Sequence, residues 1–317
     1  PGKKIDPSPV WTGTWRDGAA ANPEGPQPEN ALTGTIFTVN ANRQDPLIIP
    51  AKYAKHRMWR NTDVAKLKEG EQVVTGNGML GHEWDEDLDN GFRPAGLIRL
   101  SETKVNGVPY PMDAGSVYDQ GTATHALTLY RAKSGALVFG TGAVQYTWGL
   151  DNFHSNPTSR GAAQNPYSNR VGYDPYGPSK VVQQATVNVF ADMGVFPKNL
   201  QKDLVPAVQS TDKTPPLTKI TSPADGSAVS GTTLTVKGTA TDKEGIVAAV
   251  EVSVDGGKTW HRATGTTQWS YDAPMPAGSG TIAIMSRAID DTVNMETPKA
   301  KGGINVRPGQ VTTASAR

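Results

Sequence analysis

The stretch QSTDKTPPLTKITSPADG, Gln209–Gly226, constrains the fold most, because the texture of the chain differs on its two sides. Downstream, the short runs TLTVKGTATD, VAAVEVSVDGGKTW, QWSYDAPM and GTIAIMSRAIDD alternate with turns. The hairpin dipeptide Gly256-Gly257 and the lack of a helical period predict an all-β sandwich over residues 220–306. Upstream, runs that read as strands are joined by a segment with helical spacing, which predicts a strand-rich α/β domain over residues 36–208. Residues 209–219 form the linker, residues 1–35 a Pro/Gly-rich extended arm, and residues 307–317 a tail expected to be disordered.

Within the first domain, TGTIFTV (Thr33–Val39) alternates like a strand, and AGLIRLSETKV, THALTLYRA and GALVFGTGAVQYTWGL read as further strands. YAKHRMWRNTDVAKL suggests a helix over Tyr53–Leu67, broken near Asn61 and Thr62, with Trp59, Val64 and Leu67 as its buried face. SKVVQQATVNVFADMG predicts a second helix: Ser179 caps it, Val182, Ala185, Val189 and Met193 share one face, and Gly194 stops it. One long helix cannot cover both faces of a sheet, so this layer reads as partial.

Composition narrows the function classes. A formal net charge of +1 over 317 residues gives no electrostatic case for nucleic acid. No apolar run approaches the length of a membrane span. Cysteine is absent, which removes disulfides, zinc thiolates, iron–sulfur ligands and thiol nucleophiles, and fits a secreted or extracellular bacterial protein. The opening PGKK, without Met, reads as a processing boundary.

The segments LGHEWDEDLDNGFRPAGLIRLS, TATHALTLYRAKSGALVFGTGAVQYTWGLD and QQATVNVFADMG resemble, in this order, the C-terminal part of the N,N-dimethylformamidase large (beta) subunit-like family domain. The likeness covers roughly residues 1–205. It implies an α/β layer related to glutamine-amidotransferase folds and hydrolysis of a small amide at a mononuclear iron held by tyrosines and a glutamate. The tyrosine-bearing segments of that family lie upstream of the matched part and do not occur here, so an upstream polypeptide or a neighbouring subunit is expected to complete the site. VEVSVDGGKTWHRA, WSYD and IMSRAIDDTVNME resemble the bacterial immunoglobulin-like modules that trail such proteins, and equally the sandwich domain of sulfite oxidases. The latter hold their metal cofactor through a cysteine of another domain, which a chain without cysteine excludes.

GHEWDEDLDNG, Gly81–Gly91, gathers a histidine and five carboxylates into eleven residues. Charges this close must be spread over opposite faces, paired with cations or neutralised by an ion. Glu83, where the resemblance places a metal ligand, is the candidate; the alternative is that Glu83 and Asp85 cap a turn or pair with Arg93 and Arg99. His82 can ligate a metal or move a proton. Asp85, Asp87 and Asp89 with Asn90 imitate a calcium loop that lacks its distal bidentate glutamate. His125 is either a catalytic histidine or a core one, since it shares a strand face with leucines. His154 would line a pocket mouth. No Gly-x-Ser-x-Gly nucleophile motif occurs, and Gly140 and Gly142 read as sites of close backbone approach rather than a phosphate cradle. Trp260, Trp269 and Tyr271 offer either a glycan-stacking face or core aromatics. Two functions follow: an amide hydrolase completed by further chain, or a non-catalytic surface or filament component that uses its strand edges for self-assembly and its sandwich for glycan contact.

Overall fold

A computed structural model describes Arg16 and residues 25–112, 117–151, 178–276, 280–298 and 303–308, the side chains of residues 41, 42 and 82 excepted. Most of the expected arm, His154 and the tail beyond Pro308 lie outside the described residues.

The first domain opens with a single turn, α1 (Asn30–Thr33), and continues through β1 (Ile36–Asp45), β2 (Ile48–Pro50), β3 (Gln72–Val74), β4 (Leu80–Glu86), β5 (Ile98–Arg99), β6 (Thr103–Met112), β7 (Val117–His125), β8 (Thr128–Arg131) and β9 (Leu137–Gly140) to the helix α2 (Lys180–Asp192). The strands form small sheets, β1 with β4, β2 with β3, β6 with β7, and β5-β8-β9, and every pairing among the described residues of this domain is antiparallel. The domain is therefore strand-rich with little helix. Gly81 lies where β4 crosses close to β1: a Cβ there would run into the Gln145 side chain and the Arg43 carbonyl.

The helix expected over Tyr53–Leu67 is instead three 3-10 turns, Ala51–Tyr53, Arg57–Trp59 and Asp63–Lys66. Extended backbone at His56 and Thr62 and a left-handed Asn61 (φ 61°) interrupt the helical ladder. Side chains replace the missing bonds: Asn188 Nδ2 donates to the carbonyls of Met58 (2.8 Å) and Arg60 (2.6 Å), and Trp59 Nε1 donates to that of Leu100 (2.9 Å). The expected buried face survives, with Trp59 and Val64 fully buried and Leu67 packed against them. In α2 the Ser179 hydroxyl accepts from the Val182 amide (3.4 Å), and Val182, Ala185 and Val189 face the core.

The second domain packs a four-stranded sheet, β10 (Leu217–Ser222), β12 (Thr233–Thr241), β16 (Gln268–Pro274) and β15 (Thr264–Gly265), against a five-stranded one. The latter runs β11 (Ala228–Val229), β18 (Ile304–Pro308), β17 (Ile282–Asp290), β13 (Val247–Ser253), β14 (His261–Arg262). Arg307 and Pro308, assigned to the tail by sequence, pair in parallel with Ala228 and Val229. Residues of β12 alternate exposed and buried along its whole length, and Leu234, Val236 and Ala240 meet Val250, Val252, Ile284 and Ala288 between the sheets.

The first core does not stop at the linker. Leu47, Ile49, Trp84, Ile98, Leu100 and Leu127 pack in one cluster with Ala248, Ala249, Ile289 and Val293 of the sandwich. Full burial of a side chain such as Leu47 or Ile98 contributes about 1.5–3 kcal/mol. The linker is clamped as it leaves α2: Arg57 and Arg60 donate to the Val208 carbonyl (2.7 and 3.1 Å), and the Ser210 amide donates to Asp192 Oδ1 (3.1 Å).

Candidate functional site

The acidic stretch is β4 and the turn after it, and the two-residue period of the strand sorts its charges. Trp84 and Glu86 turn inward and are buried, whereas Glu83 and Asp85 look into a cleft of about 570 Å³ lined also by Leu32, Thr35, Phe37 and Thr141–Val144. Asp85 Oδ2 accepts from the Thr35 hydroxyl (2.8 Å), and the Asp85 amide donates to Gly142 O (2.8 Å). Burial pushes the Asp85 carboxyl up, and the neighbouring Glu29 and Glu83 charges add to this. Glu83 is half-buried, and among the described residues no cation pairs with it. Glu86 accepts from the Tyr110 hydroxyl (3.0 Å) and the Thr124 amide (2.5 Å), tying β4 to the β6–β7 ribbon.

Past the strand the charges turn to the second domain. Asp87, whose side chain is 0% exposed, is gripped by Arg99 of its own domain (2.7 Å) and by Arg262 of β14. Burial alone would raise its carboxyl, but Arg262 and then Arg99 hold it below the usual carboxylate range. Arg262 is itself pulled down by burial and by the charges of Arg99 and Arg93, in spite of Asp87. Asp89 pairs with His261 Nδ1 (2.8 Å), and that imidazole stacks on Tyr271 with ring centroids 5.7 Å apart. Arg93 does not meet Glu83 or Asp85; it pairs with Glu251 of β13 (3.1 Å), which also holds Arg287 of β17. Between the domains lies a larger cleft of about 1200 Å³, lined by Tyr53, Asp87, Arg93, Arg99, Arg262 and Thr264 among others.

Of the candidate residues, the structure thus brings Glu83 and Asp85 together and separates them from Asp87 and Asp89. An iron or calcium centre needs several oxygen or imidazole donors converging on one point. Among the described residues no three His, Asp or Glu side chains do so. Asp85, Asp87 and Asp89 turn to Thr35, to two arginines and to His261, so calcium would have to displace those partners. The donor set of the described residues does not by itself fit a complete centre.

His82 lies on β4, its side chain outside the described residues. His125 is fully buried, Nε2 bonded to the Thr141 carbonyl (2.9 Å) and its ring edge-on to Trp84. Burial lowers its pKa to about 4, so at neutral pH it is an uncharged core residue beneath the Thr141–Gly142 wall of the smaller cleft. Gly140 and Gly142 sit where backbone and side chains close in, as their sequence context suggests. Trp269 is buried in the sandwich, Arg287 covers the Trp260 ring at 4.1 Å and His261 covers Tyr271, so these three aromatics present no shared open face.

The model of the family described as N,N-dimethylformamidase beta subunit-like, C-terminal, matches residues 3–161. The chain belongs to that family. A bacterial Ig domain follows at residues 216–284. Mitochondrial sulfite oxidases of Macaca fascicularis and Homo sapiens are each 34% identical to the chain over 107 residues, covering 30% of this chain and 19% of the relative. The chain thus spans about a fifth of the length of these curated relatives. Among solved structures, the fibronectin(III)-like modules of Clostridium thermocellum CbhA match with 25% identity and a TM-score of 0.24, covering 30% of this chain and 98% of that one. In this member of the dimethylformamidase-like family, the residues that sequence reasoning missed are the partners across the domain boundary. Glu251 and Arg287 face each other in register on β13 and β17. The signal was present, since each is a single charge inside an apolar run, VAAVEVS and IAIMSRAI.

Proposed function

We propose that the chain is the C-terminal portion of a secreted bacterial amide hydrolase of dimethylformamidase type, in which the cleft of Glu83 and Asp85 forms one wall of an active site completed by a further polypeptide portion. The observation that carries this reading is the placement of Glu83: within the segment matched by the family, it faces an open cleft and makes no ion pair among the described residues, while Asp87 and Asp89 are bound up in the structure. Asp85, whose carboxyl burial pushes above its ordinary value, lines the same cleft beside it, where it would serve as a proton donor or acceptor. The amidotransferase-like α/β layer and the iron implied by the family resemblance need elements and ligands beyond the described residues, and Glu83 is this chain's contribution. Elemental analysis and intact-mass measurement of the native assembly test the proposal. Stoichiometric iron with a companion portion, lost together with small-amide turnover in Glu83→Gln, supports it. A complete native assembly that holds no transition metal and turns over no small amide overturns it.

One observation favours the non-catalytic reading. The far end of the β6–β7 ribbon exposes Met112, Val117 and Tyr118, each about half accessible. Apolar groups at a ribbon end suit self-assembly. Replacing Met112 and Val117 by Ser would then abolish assembly, whereas the hydrolase reading expects unchanged turnover.

A further inference from the structure

The cleft between the domains is lined by cations that the protein does not fully use. Four guanidiniums, Arg93, Arg99, Arg262 and Arg287, surround two buried carboxylates, Asp87 and Glu251. Glu102, at the rim, is shared between Arg99 (3.2 Å) and Lys52 (2.6 Å). The Arg93 side chain is 3% exposed, yet only one arm of it, Nη2, meets Glu251. Its Nε and Nη1 and the Nε of Arg262 are buried and without hydrogen-bond partners among the described residues. Leaving such groups unmade costs about 1–3 kcal/mol each, and more for charged ones. Folding alone gives no reason to keep three of them beside one cleft.

Both arginines line that cleft, together with the exposed Lys52 and Lys55. The five cations of its lining, Lys52, Lys55, Arg93, Arg99 and Arg262, outnumber its four acids, Asp87, Asp89, Glu102 and Asp242, by one. Of these acids, Asp89 bonds His261 and Asp242 Oδ1 caps the amides of Glu244 and Gly245, while Asp242 Oδ2 is buried without a partner among the described residues. Lone N–H groups on two guanidiniums match the oxygens of a small oxyanion, which accepts from several donors at once. Solvent does not reach these N–H groups directly. A small ligand that a turn of the guanidinium can admit fits the wall; a bulky one does not.

We propose that the interdomain cleft binds a small oxyanion, either an inorganic one or the carboxylate of an organic molecule, held by Arg93 and Arg262 and drawn in past Lys52 and Lys55. This site is separate from the Glu83 cleft and stands whether or not the hydrolase reading does.

The test is calorimetric titration of the full chain with sulfate, phosphate and formate in turn, at an ionic strength fixed with sodium chloride. Saturable binding of at least one is expected, and the preferred ion tells an inorganic source from a carboxylate. Arg93→Lys and Arg262→Lys keep the charge but lose the orphaned Nε–H, and each should weaken binding at least about tenfold, the effect of one charge-assisted hydrogen bond. No saturable heat with any of the three ions, or an affinity in both variants equal to that of the unaltered chain, overturns the proposal. Should the variants not fold, crystals of the unaltered chain soaked in selenate decide: selenium beside Arg93 and Arg262 supports the site, and selenium elsewhere alone refutes it.

Discussion

The two ends of GHEWDEDLDNG carry the same kind of charge and meet opposite fates. At Glu83 and Asp85 the carboxylates face an open cleft, and what holds them is a threonine hydroxyl and backbone. Two to four residues on, Asp87 is sealed between two arginines and Asp89 reaches a histidine, all but Arg99 crossing to the other domain. The difference teaches that the stretch is not one site. Its strand half faces an open cleft, and its turn half latches the domains.

Asp87→Ala should break this contrast most severely. Removing the carboxylate leaves Arg99 and Arg262 buried against each other, and a loss of about 3–5 kcal/mol is expected by denaturant unfolding. Acid should act on the other end first. His125, under the cleft wall, and His56 are held neutral in the fold with pKa values of about 4, against 6.5 for an ordinary histidine. The stability they contribute is whole above pH 6.5 and is lost as pH falls towards 4, on the order of 2–3 kcal/mol per histidine. Asp291, raised by burial to about 6, works in the opposite sense: its share is present below the ordinary carboxyl value of 3.8 and lost as pH rises through 6. Between pH 7 and 5, protection factors, taken against the intrinsic exchange rate at each pH, should therefore fall around Gly142 and Asp85 while the Asp87 turn stays protected. A flat exchange pattern in His125→Gln confirms the cause.

Asp89→Ala sharpens the comparison from within the latch. Its pair with His261 is about one-third exposed, so thermal unfolding should report a loss under about 1 kcal/mol. Glu83→Gln should be the mildest, within about 0.5 kcal/mol of the parent in the same assay. A large destabilisation there would mean that Glu83 is structural and would remove it from the active-site reading.

Much of the sandwich was legible, because strict alternation leaves one register for β12, and the cap at Ser179 with its apolar stripe located α2. Tyr53–Leu67 was misread as helix because its apolar spacing is helical while its carbonyls are satisfied from afar, by Asn188. The fate of the acids was illegible for a related reason. Arg262 lies 175 residues from Asp87, and nothing local in DEDLDNG distinguishes an acid that meets an arginine from one that meets solvent. The expected partners, Arg93 and Arg99, were the right residue types nearby, yet one joins Glu251 and the other Asp87.

The clamped linker has a mechanical consequence. A pull on the sandwich would arrive at Val208–Ser210, where Arg57, Arg60 and Asp192 grip the chain, and the interdomain arginines would share it. Bonds loaded in parallel yield together at a higher force than bonds opened one at a time. The junction should thus behave as a rivet rather than a hinge, passing tension from one domain straight into the core of the other.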